Sequence, residues 1–230
     1  MIVDAIILAR GGSKAIPKKN VMDFCGKPLI AWTIENCIQA ETINNVWVSS
    51  DDELILEVAD QFGASLIKRP TEISDDFASS ESGWLHAIDY LEKQNVVLDA
   101  VLAPQVTSPL RSLNDIDNAV NLFFKKKLDS LFSASVTDDL YYWEMNENGK
   151  LNSANYNFFN RTRRQEFKKQ IIENGSFYIF TPELIREENN RLGGKIGFYE
   201  MEIWQVFEID DLKNVRMCSA LMNEFIIKGE

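Results

Sequence analysis

Residues 2–20 read IVDAIILARGGSKAIPKKN, and this stretch decides the class of fold. Residues 2–9 form a short, mostly apolar run, the pattern of a strand buried on both faces. A loop rich in Gly, Lys and Pro follows directly, and a helical pattern begins at Pro28 and runs to about residue 40. A buried strand that leads through a loop into a helix indicates the first part of a βαβ unit.

The same alternation continues through the first half of the chain. We expect further strands at residues 46–48, 65–68, 100–104 and 130–136, and helices at residues 54–62, 82–93 and 116–127. Strands that alternate with helices at this spacing predict right-handed βαβ units. The sequence therefore predicts an α/β fold with a mostly parallel sheet and helices on both faces.

The alternation breaks at residues 138–170, which are rich in aromatic residues and contain a cluster of arginines. Asn148-Gly149 inside this segment is a hairpin turn signal. We therefore expect an antiparallel extension, too aromatic to stand alone in water. After it we expect a strand at residues 175–180, further strands within residues 196–209 and a last helix at residues 212–225.

Composition limits the partners and the compartment. The chain of 230 residues is 45% hydrophobic and 26% charged, which is typical of a globular protein. Its net charge of −11 argues against a general nucleic-acid or anionic-membrane surface, so a site for any anion must be locally basic. Cys25, Cys37 and Cys218 have no metal-ligand spacing and indicate reduced thiols. With no visible signal peptide or membrane span, we expect a cytoplasmic protein.

Three polar segments leave the carboxyl ends of the predicted strands, at residues 10–20, 69–82 and 105–111. Ligands of parallel α/β sheets bind beyond those ends. We therefore expect the three segments to converge on one pocket.

The first of these segments has the composition of a phosphate-binding loop. Gly11 and Gly12 allow backbone N–H groups to approach a ligand closely, and Ser13 adds a hydroxyl. Four cations lie within ten residues of an otherwise acidic chain: Arg10, Lys14, Lys18 and Lys19. Backbone donors and fixed cations together replace the water that phosphates lose on binding. The spacing fits neither the P-loop nor the dinucleotide fingerprint, and the alternative is a solvated turn with surface lysines.

Two carboxylates near the C-terminus are candidate metal ligands. Glu208 and Asp210, in the segment FEIDD, are two residues apart, so on a strand both would project from one face. Mg²⁺ is a hard cation that takes one or two carboxylates together with phosphate oxygens and water. The alternative is an acidic strand-to-helix junction, in which Asp210 or Asp211 caps the last helix. His86, the only histidine, lies among apolar residues of a helical pattern, which argues against covalent hydrolase chemistry.

The motifs around these residues resemble those of a known family. ILARGGSKAIPKKN, residues 7–20, is similar to the N-terminal signature of the CMP-N-acylneuraminate synthetases. The resemblance continues in the family's order through VSSDDELILEVADQFGASLIKRP, DDFASSESG, QVTSPLR, ENGSFYIF and FEIDD, and so spans nearly the whole chain. Two departures are Val106, where proline is usual, and Glu208, where aspartate is usual. The resemblance implies a Rossmann-like nucleotidyltransferase domain over residues 1–230, with residues 138–170 as an inserted dimerisation extension.

The resemblance also implies roles for the residues that match motif positions. Arg10 and Lys19 would hold the phosphates of CTP, with Asn20 beside the nucleotide, while Arg69 and Ser80 would read the cytosine. The nucleotide-binding residues expected in this way are Ala9, Arg10, Gly11, Gly12, Ser13, Lys14, Lys19, Asn20, Arg69 and Ser80. Ser80 has the alternative role of a helix cap.

On the sugar side, Gln105 matches the glutamine that faces the acceptor. Asn174 and Tyr178 match positions near the sugar, although Tyr178 is equally well read as a core aromatic. Arg163 and Arg164 are candidate cations for the sugar carboxylate, reaching from the extension. Arg111 is either a ligand or a structural ion-pair partner.

The implied reaction joins CTP to a nine-carbon acidic sugar of the sialic or legionaminic kind. The anomeric hydroxyl attacks the α-phosphorus and pyrophosphate leaves. Arg10, Lys19 and Asp210 are the expected catalytic residues, and Mg²⁺ on Glu208 and Asp210 is the expected cofactor. The alternatives are a cytidylyltransferase for a 3-deoxy-manno-octulosonate-type acid, a uridylyl- or guanylyltransferase for a sugar phosphate, and a non-catalytic nucleotide-binding dimer of the same fold. We expect a homodimer with neither nucleic acid nor membrane as a partner.

Overall fold

A seven-stranded sheet forms the centre of the molecule in the computed structural model, which describes residues 1–137, 140–161, 163 and 169–229. The strands of the chain are β1 (Val3–Leu8), β2 (Asp23–Phe24), β3 (Lys27–Pro28), β4 (Val46–Ser50), β5 (Ser65–Lys68), β6 (Ala100–Pro104), β7 (Ser130–Thr137), β8 (Trp143–Met145), β9 (Leu151–Ser153), β10 (Gln170–Phe180) and β11 (Ile196–Glu200). The order in the central sheet is β11-β7-β10-β6-β1-β4-β5. Two small sheets, β2 with β3 and β8 with β9, lie outside it.

Parallel pairing dominates the central sheet. β1 pairs in parallel with β4 and β6, β4 with β5, and β11 with β7. β10 is antiparallel to both of its neighbours, β6 and β7. β10 is antiparallel to β7 because its first residue, Gln170, pairs with the last residue of β7, Thr137, and the strand then runs back along β7. The predicted mostly parallel sheet is confirmed.

Helices cover both faces of this sheet, as predicted. They are α1 (Leu29–Gln39), α2 (Glu53–Gln61), α3 (Ser80–Glu92), α4 (Asp115–Lys126), α5 (Pro182–Glu188) and α6 (Leu212–Met222). Successive side chains of β1 point to opposite faces. Ala5 and Ile7 pack with α1, α2, α4 and α6, whereas Ile6 packs with α3 and α5. Within the described ranges, no helix combines the length and the apolar composition that a membrane span requires.

The hairpin predicted at Asn148-Gly149 is confirmed. β8 and β9 pair antiparallel, and Gly149 in the turn has φ 75°, a left-handed conformation that favours glycine. Large apolar side chains around this hairpin remain exposed, namely Tyr142, Trp143, Met145, Leu151, Phe158 and Phe159. The expected extension over residues 138–170 is described only in part.

The segment after β11 differs from its prediction. The sequence predicts further strands within residues 196–209, but β11 is followed by a 3₁₀ helix, Ile203–Val206. Its Gln205 is buried and donates from its amide to the Leu110 carbonyl and to the Asp115 carboxylate, which turns the chain inward. The residues of FEIDD before the last helix therefore lie on a loop, and not on one face of a strand.

Two helix caps decide between alternatives that the sequence leaves open. Asp211 caps α6, because its carboxylate accepts from the backbone N–H groups of Lys213 and Asn214. α3 begins at Ser80, and the hydroxyl of Ser79 caps it by accepting from the N–H of Ser82. The helix-cap role for Ser80 is therefore wrong.

Candidate active site

A cleft of about 380 Å³ opens at the carboxyl ends of β1 and β6. All three polar segments reach it, as do Trp84 of α3 and the loop before α6. Its charged and polar walls include Arg10, Lys14, Lys19, Ser80, Gln105 and Asp210. A second cleft of about 320 Å³ adjoins it through Leu8, Arg10 and Ser80, and Arg69 lies on its wall. The predicted convergence of the three segments is confirmed.

Contacts within the chain fix the first loop of the site. The N–H of Gly11 donates to the Asp51 carboxylate at 3.2 Å. A Cβ at this glycine would lie 2.5 Å from Oδ2 of Asp52, so the backbone approaches α2 more closely than a larger residue permits. Asn20 is buried, and its amide donates to the carbonyl of Arg10 at 3.0 Å. Gly12 has open space around it and Ser13 lies on the cleft wall, so the outer part of the loop is accessible.

Two cations of this loop converge on one carboxylate. Arg10 Nη1 lies 3.0 Å from Asp76, and Lys14 Nζ lies 2.5 Å from the same side chain. Arg10 also donates to the carbonyl of Asp75 at 2.9 Å. The hydrogen bond from Lys14 holds the pKa of Asp76 below its usual range. Arg10 and Lys14 thus surround one anionic group, which in this structure is the carboxylate of Asp76.

Arg69 lies at the back of the second cleft. Its side chain is buried, and Nε donates to Ser74 Oγ at 2.9 Å while Nη2 lies 3.4 Å from the carbonyl of Ala9. Burial lowers the pKa of its guanidinium. Gly83 permits this placement, because a Cβ there would come within 3.0 Å of Arg69 Nη1. Ser80 is exposed on the wall that both clefts share.

Lys19 lies against the loop that carries Glu208 and Asp210, and both Lys19 and Asp210 line the first cleft. Lys19 Nζ donates to the carbonyl of Ile209 at 2.9 Å and lies 3.3 Å from Asp210. Glu208 lies two residues before Asp210 on the same loop, and neither is on a strand; Asp210 lines the cleft and Glu208 does not. Burial raises the pKa of Glu208, and the charge of Asp210 raises it further, while Lys19 opposes the shift.

This pair of carboxylates fits a divalent cation as a donor set. Two neighbouring carboxylates whose charges repel each other favour a hard cation that relieves the repulsion. Across the described part of the chain, no three His, Cys, Asp or Glu side chains are grouped as metal ligands. Two carboxylates suit Mg²⁺, which also takes phosphate oxygens and water, better than a metal that demands a full protein cage.

Of the described residues expected to face the sugar, some line the cleft and others do not. Gln105 lines the cleft. Tyr178 is buried on β10, where it pairs with Ala103 of β6 and does not line the cleft, and its hydroxyl donates to Glu173. Burial raises the pKa of this hydroxyl, and the hydrogen bond to Glu173 adds to the effect.

Asn174 is buried in a hydrogen-bond network and does not line the cleft. Its Oδ1 accepts from Ser133 at 2.6 Å and from the N–H of Ser176 at 3.1 Å, and its amide lies 3.3 Å from the sulfur of Met201. These contacts engage the polar atoms of the side chain within the protein. Arg163 is exposed and is not part of the cleft wall, while Arg164 lies outside the described residues.

Two further arginines belong to this side of the molecule. Arg191 was not singled out by any motif, yet its guanidinium lies 4.9 Å from the ring centre of Trp84 and 4.8 Å from that of Tyr178, and it pairs with Glu81 at 2.9 Å. Arg111, for which the sequence leaves ligand and ion-pair partner open, is buried and donates to backbone carbonyls. A cation beside aromatic residues distant in sequence carries no local signal that could have identified Arg191.

The thiols take no part in such a site. Burial raises the pKa of Cys37 to about 12 and that of Cys218 to about 11, so both are protonated at neutral pH. The two clefts are lined by cations, carboxylates, hydroxyls and the Gln105 amide, and by none of the three cysteines. Cations and carboxylates in a cleft at the carboxyl edge of a parallel sheet are typical of α/β proteins that bind phosphate-bearing ligands.

Comparison with known proteins agrees with this class. The cytidylyltransferase family model matches residues 5–214. N-acylneuraminate cytidylyltransferase A of Danio rerio is 38% identical over 210 residues, which are 90% of this chain and 48% of that protein. Pseudaminic acid cytidylyltransferase of Campylobacter jejuni subsp. jejuni serotype O:23/36 (strain 81-176) is 37% identical over 221 residues, or 94% of each chain. The chain belongs to the cytidylyltransferase family.

A solved structure supports the fold. CMP:2-keto-3-deoxy-manno-octonic acid synthetase complexed with CTP superposes with a TM-score of 0.73 at 16% identity, over 98% of this chain and 100% of that one. The present chain thus spans about half the length of the Danio rerio relative but nearly all of the Campylobacter relative and of this structural neighbour.

Proposed function

We propose that this protein transfers CMP from CTP to the anomeric hydroxyl of a nonulosonic acid and releases pyrophosphate. The observation that carries the proposal is the cleft itself, where the cations of the first loop face Gln105 and the loop of Glu208 and Asp210. The similarity to the pseudaminic acid cytidylyltransferase over 94% of both chains supports a complete site of this kind.

In this proposal the two adjoining clefts divide the nucleotide. Arg10 and Lys14 release Asp76 and take the triphosphate, because phosphate oxygens carry more charge than one carboxylate. Arg69 and Ser80 recognise the pyrimidine in the second cleft through acceptors such as O2 and N3. Phosphoryl transfers of this type depend on positioning and charge neutralisation more than on a protein base.

Glu208 and Asp210 would hold Mg²⁺ in this enzyme. When bound, the ion would neutralise charge that develops on the phosphates during transfer. Lys19 lies against the same segment, where it fixes the carbonyl of Ile209 and pairs with Asp210. Its ammonium would hold the pyrophosphate as it leaves, as would Arg10.

The acidic sugar would bind on the Gln105 side of the cleft. Gln105 offers an amide to its hydroxyl groups, and the carboxylate requires a cation, for which Arg163 and Arg164 of the extension remain our candidates. Arg163 is exposed outside the cleft, which supports a role at the site of a second subunit more than at its own.

We propose a homodimer for the same reason. The exposed aromatic side chains around β8 and β9 include Phe159, which is 86% exposed, and a symmetric partner would cover them. We also place the protein in the cytoplasm, since its three cysteines are free thiols that suit a reducing compartment.

A pyrophosphate-release assay tests the function. The purified protein is incubated with CTP, UTP or GTP and with each of a panel of acids: N-acetylneuraminic, legionaminic, pseudaminic and 3-deoxy-manno-octulosonic acid. We expect release with CTP and a nine-carbon acid, and dependence on added Mg²⁺. Release with the eight-carbon acid alone, with another nucleotide, or with no sugar at all would contradict the proposal.

A further inference from the structure

Arg111 carries a buried charge without an acidic partner at salt-bridge distance in the described residues. Its side chain is 1% exposed, among the least exposed of the large side chains. Taking a guanidinium out of water is costly unless strong hydrogen bonds replace the lost hydration. Burial lowers its pKa to about 10, so the group is still charged at neutral pH.

The hydrogen bonds of Arg111 join separate parts of the fold. Nη2 donates to the carbonyl of Gln105 at 2.5 Å and to that of Ser176 at 2.7 Å, so a single nitrogen bridges the loop after β6 and the strand β10. Nη1 donates to Thr33 Oγ1 in α1 at 3.1 Å. The N–H of Gln105 also donates to the Ser176 carbonyl, at 2.9 Å.

The loop held in this way also supports the carboxylate segment. The carbonyl of Thr107 accepts from the N–H of Ile209 at 2.7 Å, and the carbonyl of Ile209 accepts from Lys19 Nζ at 2.9 Å. Residues 105–111 thus contact β10 on one side and the loop of Glu208 and Asp210 on the other.

We propose that Arg111 is a positioning residue that fixes the sugar-facing wall of the cleft relative to the carboxylate loop. The inference rests on the proposed function, since it assigns the sugar to the Gln105 side. A guanidinium is suited to this role because its planar donors can hold carbonyls of two segments at once. In Arg111, Nη2 holds the two carbonyls while Nη1 reaches Thr33 of α1, and the single ammonium of a lysine has no second nitrogen for that third contact. An apolar side chain would fill the space but leave the carbonyls unpaired.

Steady-state kinetics of Arg111→Lys tests the role, with Arg186→Lys as the matched control. Arg186 is a surface arginine that pairs with Asp89 and Glu92, away from the cleft. For Arg111→Lys we expect kcat to fall and KM for the acid to rise, together lowering kcat/KM between about tenfold and a hundredfold, because small displacements of positioning groups cost that much. The affinity for CTP should change by less than about threefold, as its contacts lie on other segments. The control should match the wild type in every constant.

Chemical rescue separates positioning from simple loss of folding. A cavity of about 270 Å³ is lined by Arg111 together with residues of α1 and of the C-terminal segment, and gives a small cation a route to the vacated space. Guanidinium chloride at millimolar concentration should restore part of the activity of Arg111→Ala, while sodium chloride at equal ionic strength should not. The wild type and Arg186→Lys should show no stimulation.

Hydrogen exchange provides a readout that does not need catalysis. In Arg111→Lys, amides of residues 105–111 and 170–180 should exchange faster, while those of α2 and α5 keep wild-type rates. Uniformly faster exchange, or equal losses of CTP and sugar binding, would reduce Arg111 to a general stability residue and overturn the proposal. Wild-type kinetics and exchange in a folded Arg111→Ala would overturn it as well. A wild-type enzyme that releases no pyrophosphate would instead refute the proposed function. Hydrogen exchange alone would then test whether Arg111 holds residues 105–111 in place.

Discussion

Lys18 and Lys19 are neighbours in the chain with different environments. Lys18 is exposed and has φ 55°, whereas the side chain of Lys19 is only 14% exposed and lies against Asp210. Lys19→Ala should weaken CTP binding and slow transfer by about tenfold or more, since hydrogen bonds to charged groups contribute about 1.5–3 kcal/mol. Lys18→Ala should change both by less than about threefold. Isothermal titration and initial rates decide, and equal small effects would make this loop a solvated turn.

Asp76 forms ion pairs with Arg10 and Lys14, the two cations that we assign to the triphosphate. Replacing it with Asn removes the competing charge but keeps the size of the side chain. We expect Asp76→Asn to bind CTP about two- to fivefold more tightly, because exposed ion pairs contribute up to about 1 kcal/mol. Asp60→Asn, on the surface of α2, serves as the control. Weaker CTP binding in Asp76→Asn would show that this carboxylate helps to order the loop and does not compete with the ligand.

Asp210 is a candidate metal ligand whose side chain is 66% exposed. Asp210→Asn should nearly abolish turnover while CTP still binds, because charge neutralisation matters most as transfer proceeds. Turnover at saturating CTP across a range of Mg²⁺ concentrations measures the effect. Turnover close to that of the wild type at low Mg²⁺ would rule out the metal assignment.

At the scale of elements, β8 and β9 are expected to form the dimer contact. Tyr141 packs against Tyr156 within the extension, so changing it would disturb the hairpin itself. Tyr142→Ser with Phe159→Ser alters exposed side chains instead. We expect this double variant to be monomeric and poorly active, with light scattering giving the mass. A wild-type protein that is monomeric at micromolar concentration yet fully active would contradict the dimer, and the extension would then act only on its own chain.

Most elements could be predicted from local pattern, and the exceptions have tertiary causes. The strand β6 and the first four helices follow apolar runs and periodicities that depend on few distant contacts. The alternation in FEIDD predicts a strand where the structure has the loop of Glu208 and Asp210. Burial of the Gln205 amide against α4 overrides that local preference, which no pattern within the segment reveals.

At the scale of the whole molecule, the site is assembled from segments far apart in sequence. Its convergence was predictable from topology, since parallel strands place their loops at one edge. The partners of each side chain were not predictable: Asn174 is held by Ser133 and Met201, and Arg111 is held by carbonyls and not by an acid. Which polar atoms remain free for a ligand depends on packing across the sheet, and motif order alone does not specify it.

Isotope tracing of the transferred oxygen tests the central claim most directly. The protein is supplied with CTP, Mg²⁺ and a nine-carbon acid labelled with heavy oxygen at its anomeric hydroxyl, and the products are analysed by mass spectrometry. Because the hydroxyl attacks the α-phosphorus in this account, the label should remain in the bridge between sugar and phosphorus of the CMP-sugar, and pyrophosphate should carry none. An unlabelled CMP-sugar, or CTP consumed without any sugar adduct, would contradict it.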